Sequence, residues 1–202
     1  METEWILSLC IGIGLSAACG FRVFLPLQVM SIAAYAGHLN LAPGFEWIGS
    51  PAALAAFTVA TTIEIAGYYV PWVDHLLDTM AAPAAFFAGS VATASMITDM
   101  SPFLRWTLAA IAGGGAASLV QGSTMLVRTI STATTAGIGN PVVATIELGG
   151  AVITSVMALV APMLTLMALI LLSFLIGRRL LRSRELKTSL ESKRGQSRTT
   201  AY

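Results

Sequence analysis

The chain has 202 residues, of which 56% are hydrophobic and only 10% charged. A soluble domain carries roughly 25% charged residues, so this composition excludes a free soluble globule and, with it, a soluble enzyme. The formal net charge of +1 hides an asymmetry: from Arg178 onward the chain is strongly basic, and only Arg22, Arg105 and Arg128 precede that stretch. Basic residues directly after an apolar helix read as an orientation signal, with anionic lipid headgroups as a weaker reading, and not as a nucleic-acid surface.

A helix that crosses a bilayer needs roughly 20 apolar residues, and cutting the chain at charges, Pro and Gly clusters gives about six such segments. The first region, Trp5 to Gly37, is too long for one straight span and too short for two with a loop. It holds Gly12, Gly14, Gly20, Arg22 and Pro26, which predicts one broken or kinked helix, or a re-entrant half followed by a span. The acidic start, Met1-Glu-Thr-Glu-Trp5, lacks the basic beginning of a secretory signal, so this helix is expected to be retained. A loop from His38 to Ser50 follows. The second span runs from Pro51 to Tyr69 with Glu64 inside it, and Val70–Asp78 reads as a polar connector carrying Asp74, His75 and Asp78. The third runs from Pro83 to Thr98 and is closed by Asp99–Pro102. The fourth runs from Phe103 to Val127 through Gly113-Gly114-Gly115. Arg128–Asn140, rich in Thr, Ser and Gly, reads as a connector, and Asn140-Pro141 suits a helix start. The fifth span reaches Val160 with Glu147 inside it, and the sixth runs from Met163 to Leu181.

The predicted architecture is therefore an all-α membrane protein: a helical domain over 1–181 and a basic tail over 182–202, expected to be disordered. Strands are excluded because nothing alternates with period two and open strand edges cannot face lipid. Six spans put both termini on one side, and the basic tail makes that side cytoplasmic, with the Asp74–Asp78 and Arg128–Asn140 connectors on it as well. Trp5, Trp47, Trp72 and Trp106 all fall at predicted boundaries, as an aromatic belt requires. Cys10 and Cys19 are nine residues apart in a helix, on opposite faces, and are not expected to pair. Arg105 and Asp99 read as an outer-surface ion pair.

Two stretches resemble each other. Ala60-Thr-Thr-Ile-Glu64-Ile-Ala-Gly67 reads like Val143-Ala-Thr-Ile-Glu147-Leu-Gly-Gly150, and Ile11–Gly37 lies on Ile111–Gly137 without gaps. Three spans separate the copies, so they face opposite ways. That is the pattern of a 3+3 inverted-topology repeat, here 5–99 and 103–181, with broken or re-entrant helices and a site near the midplane.

Glu64 and Glu147 each sit in an apolar run. An ionisable group at that depth costs about 2.5–3.5 kcal/mol, so each must be paired, protonated or wetted. One reading has them line a cavity and bind a cation or relay protons; the other has them pair with Arg22 and Arg128 to lock helices together. Arg22 sits at the expected helix break, where half-helix N-termini favour anions. Asp74 and Asp78 are four apart and share a face if helical, suiting an inward-facing ion entry site or a solvated loop. Asn140 and its hydroxyl-rich neighbours supply oxygen ligands or satisfy freed backbone.

Three segments carry a family resemblance: Gly14–Pro26 (GLSAACGFRVFLP), Val70–Asp78 (VPWVDHLLD) and Thr135–Pro141 (TAGIGNP). Over about residues 8–180 the chain resembles a bacterial membrane family known as domain of unknown function 4126. The family's Asn-x-Ser-Pro-Glu-Pro-Phe-Ser-Asn stretch is replaced here by Ser131–Gly139. The resemblance implies a membrane protein and supplies no activity. The residues themselves predict a small transporter or channel for an ion or small polar solute in the bacterial inner membrane, proton-coupled through Glu64 and Glu147. Arg22, Arg128, Asp74, Asp78 and Asn140 complete the expected binding set. The alternatives are a lipid-carrier flippase or lipid-binding protein, and a non-transporting accessory subunit. No cofactor or nucleic acid is implied. The lipid bilayer and an unknown small solute are the expected partners, with a homodimer as a further option.

Overall fold

The structure, a computed structural model, describes residues 2–175 and 178. The described chain is helical apart from short connections: α1 (Glu2–Cys19), α2 (Phe24–Tyr35), a 3-10 turn at Glu46–Gly49, α3 (Pro51–Gly67), α4 (Pro71–Ala94), α5 (Pro102–Leu108), a π-helical segment at Ala109–Gly114, α6 (Gly115–Thr135), α7 (Asn140–Val160) and α8 (Pro162–Leu175). Three stretches among the described residues are long and apolar enough to cross a membrane: Trp72–Ala94, Pro102–Thr135 and Asn140–Val160. The chain divides into a body, Met1–Leu166, and a second unit, Met167–Tyr202. In the second unit residues 167–175 continue α8; the predicted basic tail, 182–202, lies outside the described residues.

The first region is a hairpin of two helices. Gly12 in α1 lies against α4, where an added Cβ would stand 3.0 Å from Thr93 Cα and 3.3 Å from Met96 Cβ. Met30 in α2 accepts a hydrogen bond from the Ser95 hydroxyl at 3.4 Å. A continuous helix would separate residues 12 and 30 by about 27 Å, at 1.5 Å per residue; both instead meet Thr93–Met96, at and just past the end of α4. The chain therefore doubles back at Gly20–Val23. Two helices fit where the sequence seemed too short because the turn is so brief and α2 is only 12 residues long. Pro26 is tolerated because it falls in the first turn of α2, where its missing N–H costs nothing. α2 returns antiparallel to α3, through Glu64 at its start, a Gln28–Thr58 hydrogen bond of 3.2 Å midway, and Ala34 beside Gly49.

The helices pack through small residues. Ser16, Ala85, Ala88, Ala92, Ala117, Ala144, Ala151 and Ala158 are buried, and the Ser16 hydroxyl donates to the carbonyl of Gly89 and lies 2.7 Å from Thr93 Oγ1. Large apolar side chains point outward instead, among them Phe87, Ile111, Leu119, Ile153 and Val160. On α7, Ala144, Glu147, Ala151, Ser155 and Ala158 form one inward stripe at helical spacing. This inside-out pattern is that of helices packed in lipid, where close backbone approach and not burial of large side chains joins the helices.

Several expectations are corrected. Val70–Asp78 is not a connector: Pro71 starts α4, with its fixed φ and missing N–H suited to the first helical turn, so Asp74, His75 and Asp78 are helical. Arg128–Asn140 is also mostly helix, since α6 runs to Thr135 and turns at Ala136 and Gly137, both with positive φ (51° and 88°). Trp5 and Leu9 of α1 stand with Met96–Met100, at the end of the bundle where α3 begins and α5 starts. The Phe45 and Trp106 rings meet there at 5.8 Å, and Arg105 donates to the Pro43 carbonyl at 3.1 Å. The chain start is thus at the opposite end from Asp74 and Asn140, not beside them, because the hairpin adds a return pass. Arg105 makes no ion pair with Asp99 among the described residues; Asp99 accepts from the Thr98 hydroxyl. The break at 20–23 has no counterpart at 120–123, which lies within α6.

Candidate functional site

The hairpin tip, the end of α3, the start of α4, the second half of α6 and the start of α7 converge on one buried cluster of charges. The charged members arrive from five different parts of the chain. Arg22 stands in the turn between α1 and α2, Glu64 in the last turn of α3, Asp74 in the first turn of α4 with Asp78 one turn on, Arg128 in α6 and Glu147 in α7.

Arg128 is the hub. Its Nε donates to both carboxylate oxygens of Glu147 (2.9 and 3.1 Å), its Nη2 donates to Glu147 Oε2, and its Nη1 donates to Asp74 Oδ1. The same Nη1 lies 3.5 Å from Asp78 Oδ1. Such forked, charge-assisted contacts are what a planar guanidinium makes best. Asp74 also accepts from the Asn140 amide at 3.2 Å, and that amide in turn meets Thr132 at 3.2 Å. Arg128, Asp74 and Glu147 are all buried, while Asp78 is half-buried.

Arg22 is 2% exposed. Its Nη2 donates to the Ala144 carbonyl at 2.8 Å and stands 3.8 Å from Glu147 Oε2. Its Nε and Nη1 are buried without a hydrogen-bond partner. What covers this guanidinium is the ring of Tyr68, 3.8 Å away, and the opposite guanidinium, that of Arg128, lies 4.4 Å from the same ring. One aromatic ring thus meets both cations, each contact worth about 2 kcal/mol or more when desolvated. Glu64 differs from the other acids. It is 6% exposed, and its two oxygens accept from the backbone N–H of Val23 (2.7 Å) and Phe24 (3.1 Å). It caps the N-terminus of α2 from another helix, satisfying donors a helix start leaves free.

All seven residues singled out from the sequence therefore belong to one assembly: Arg22, Glu64, Asp74, Asp78, Arg128, Asn140 and Glu147. Tyr68 was missed; its one signal was an aromatic residue a helical turn beyond Glu64, on the same face. Among the described residues no three His, Cys, Asp or Glu side chains form a group that could hold a metal ion. Cys10 and Cys19 are free and buried, as their spacing requires. The cluster thus sets buried acids against buried guanidiniums, with Asp78 at its more exposed edge. Among the described side chains Asp74, Asp78 and Glu147 face Arg128, Glu147 also faces Arg22, and Glu64 is held by backbone N–H groups.

No curated protein and no solved structure matches this chain. One family model does, over residues 9–182, and it covers most of the hairpin, α3 to α8 and every member of the cluster. The chain belongs to the family described as a domain of unknown function, DUF4126.

Proposed function

We propose that this protein is a small transporter or channel of the bacterial inner membrane, moving an ion or small polar solute with proton coupling at its intramembrane carboxylates. The observation that carries the reading is the buried cluster itself. Asp74, Arg128 and Glu147 are buried together in helices long and apolar enough to cross a membrane, and an ionisable group in that position is by default functional. The broken first helix supports it, since hairpins that end inside the bundle bring free backbone donors to a buried site.

The same reading holds that the chain has six membrane segments, the first being the α1–α2 hairpin, and that its halves descend from an inverted repeat. The matching Thr-Ile-Glu sequences, and the arrival of Glu64 and Glu147 at one cluster, support that descent; the break at 20–23, without a counterpart in α6, does not. The test is a screen of purified protein in proteoliposomes for proton-linked flux of metal cations and small anions. Flux is expected in wild-type vesicles and lost in the Glu64→Gln, Glu147→Gln double variant. Wild-type rates in the folded double variant would remove these carboxylates from the mechanism.

A further inference from the structure

The two glutamates, alike in sequence, have unlike surroundings. Glu147 is gripped by three Arg128 contacts and faces Arg22 at 3.8 Å. Two guanidiniums thus stand next to this one carboxylate. Asp74 shares Arg128 and is further held by Asn140. Glu64 makes no ion pair among the described residues; its contacts are the N–H groups of Val23 and Phe24. Those donors belong to the hairpin turn, so the state of Glu64 decides how the hairpin tip is fastened to α3.

We propose that Glu64 is the proton-exchanging carboxylate of the cluster, that Glu147 is a permanent counter-ion, and that protonation of Glu64 unlatches the start of α2. This deepens the transport reading and rests on it for its purpose, though not for its test. A carboxylate accepts both N–H bonds and lies at the favourable end of the α2 dipole. The neutral acid offers weaker acceptors and a proton that finds no acceptor at those N–H groups, so the latch loosens. The surroundings on every side fit this role. Arg22 at the tip turns to Ala144 and Glu147, the Tyr68 ring meets both Arg22 and Arg128, and Cys19 closes the end of α1 as a buried free thiol. Asp74 and Asp78 on α4 are engaged with Arg128. Among the described residues no other side chain bonds the Val23 and Phe24 N–H groups, though the charges of Arg22 and Glu147 lie near enough to act on Glu64.

Hydrogen–deuterium exchange read by mass spectrometry on the full chain in detergent tests this. Glu64→Gln, a permanently neutral side chain, is expected to raise exchange about fivefold or more in peptides covering residues 20–27 and to leave α4 unchanged. Wild-type protein, corrected for the chemical exchange rate, is expected to gain exchange there as pH falls from about 8 to about 5, while the variant does not respond to pH. Should the variant not fold, the wild-type pH series and Glu64→Asp, which keeps the charge, decide the matter. Exchange at 20–27 that ignores both pH and the substitution overturns the inference even if flux depends on protons. A responsive latch without any flux instead overturns the transport reading and leaves the latch standing.

Discussion

Arg128 holds together side chains from three other elements, and its removal strands them. Breaking a buried ion pair by deleting one partner costs about 3–5 kcal/mol, because the opposite charge is left without compensation. Arg128→Leu is therefore expected to lower the thermal midpoint in detergent sharply. Arg128→Lys, which keeps the charge but not the fork, should fall between. A Leu variant as heat-stable as wild type would mean that the cluster is not a structural unit. Tyr68 gives a finer test. Tyr68→Phe keeps the ring that both guanidiniums meet and should be near neutral, whereas Tyr68→Leu should cost about 2 kcal/mol, the worth of a desolvated cation–π contact. Equal stability of the two variants would take the ring out of the account. At this scale much was legible in the sequence, because a charge inside an apolar run demands a partner and few partners exist. Tyr68 was not, since a tyrosine near a membrane boundary reads equally well as an interfacial anchor.

Glycines make the element packing testable. An added Cβ at Gly113 would come within 2.7 Å of the Gly89 carbonyl and onto the Thr93 hydroxyl, and one at Gly20 would meet Ala117 and stand 2.9 Å from the Gln121 amide. Gly113→Ala and Gly20→Ala should each destabilise by about 1–3 kcal/mol through overpacking. Gly149 has open space around its Cβ position, so Gly149→Ala should be neutral or stabilise by up to about 1 kcal/mol through helix propensity. Thermal midpoints of the three variants in one detergent would expose a wrong packing scheme, since only the correct one ranks them this way. Helices were readable from apolar run length, but their ends were not. Polar residues at Val70–Asp78 and Arg128–Thr135 suggested loops, yet there the polar side chains face the cluster or bond their own helix: Thr129 and Thr134 donate to the carbonyls four residues back.

For the whole molecule, the hairpin sets the topology. It places the chain start at the Asp99 end, opposite the 136–139 turn, where six simple spans would have put them on one side. Single cysteines at Gly44 and Gly137, in a background lacking Cys10 and Cys19, should react with an impermeant thiol reagent from opposite sides of the membrane. The Glu4→Cys variant should behave as Gly44→Cys does. If Glu4→Cys instead labels with Gly137→Cys, the first region crosses as one helix and the hairpin is wrong. The sequence indicated a break by placing Gly20, Arg22 and Pro26 together, but not its direction, which depends on contacts with α4 far along the chain.

The most direct measurement is proton entry into proteoliposomes, followed with an internal pH-sensitive dye under an imposed gradient. Wild-type protein should admit protons faster than empty vesicles. Glu64→Gln should bring the rate at least about tenfold down toward that of empty vesicles, while Arg105→Gln, outside the cluster, should leave it unchanged. Proton entry through folded Glu64→Gln at the wild-type rate would contradict the account.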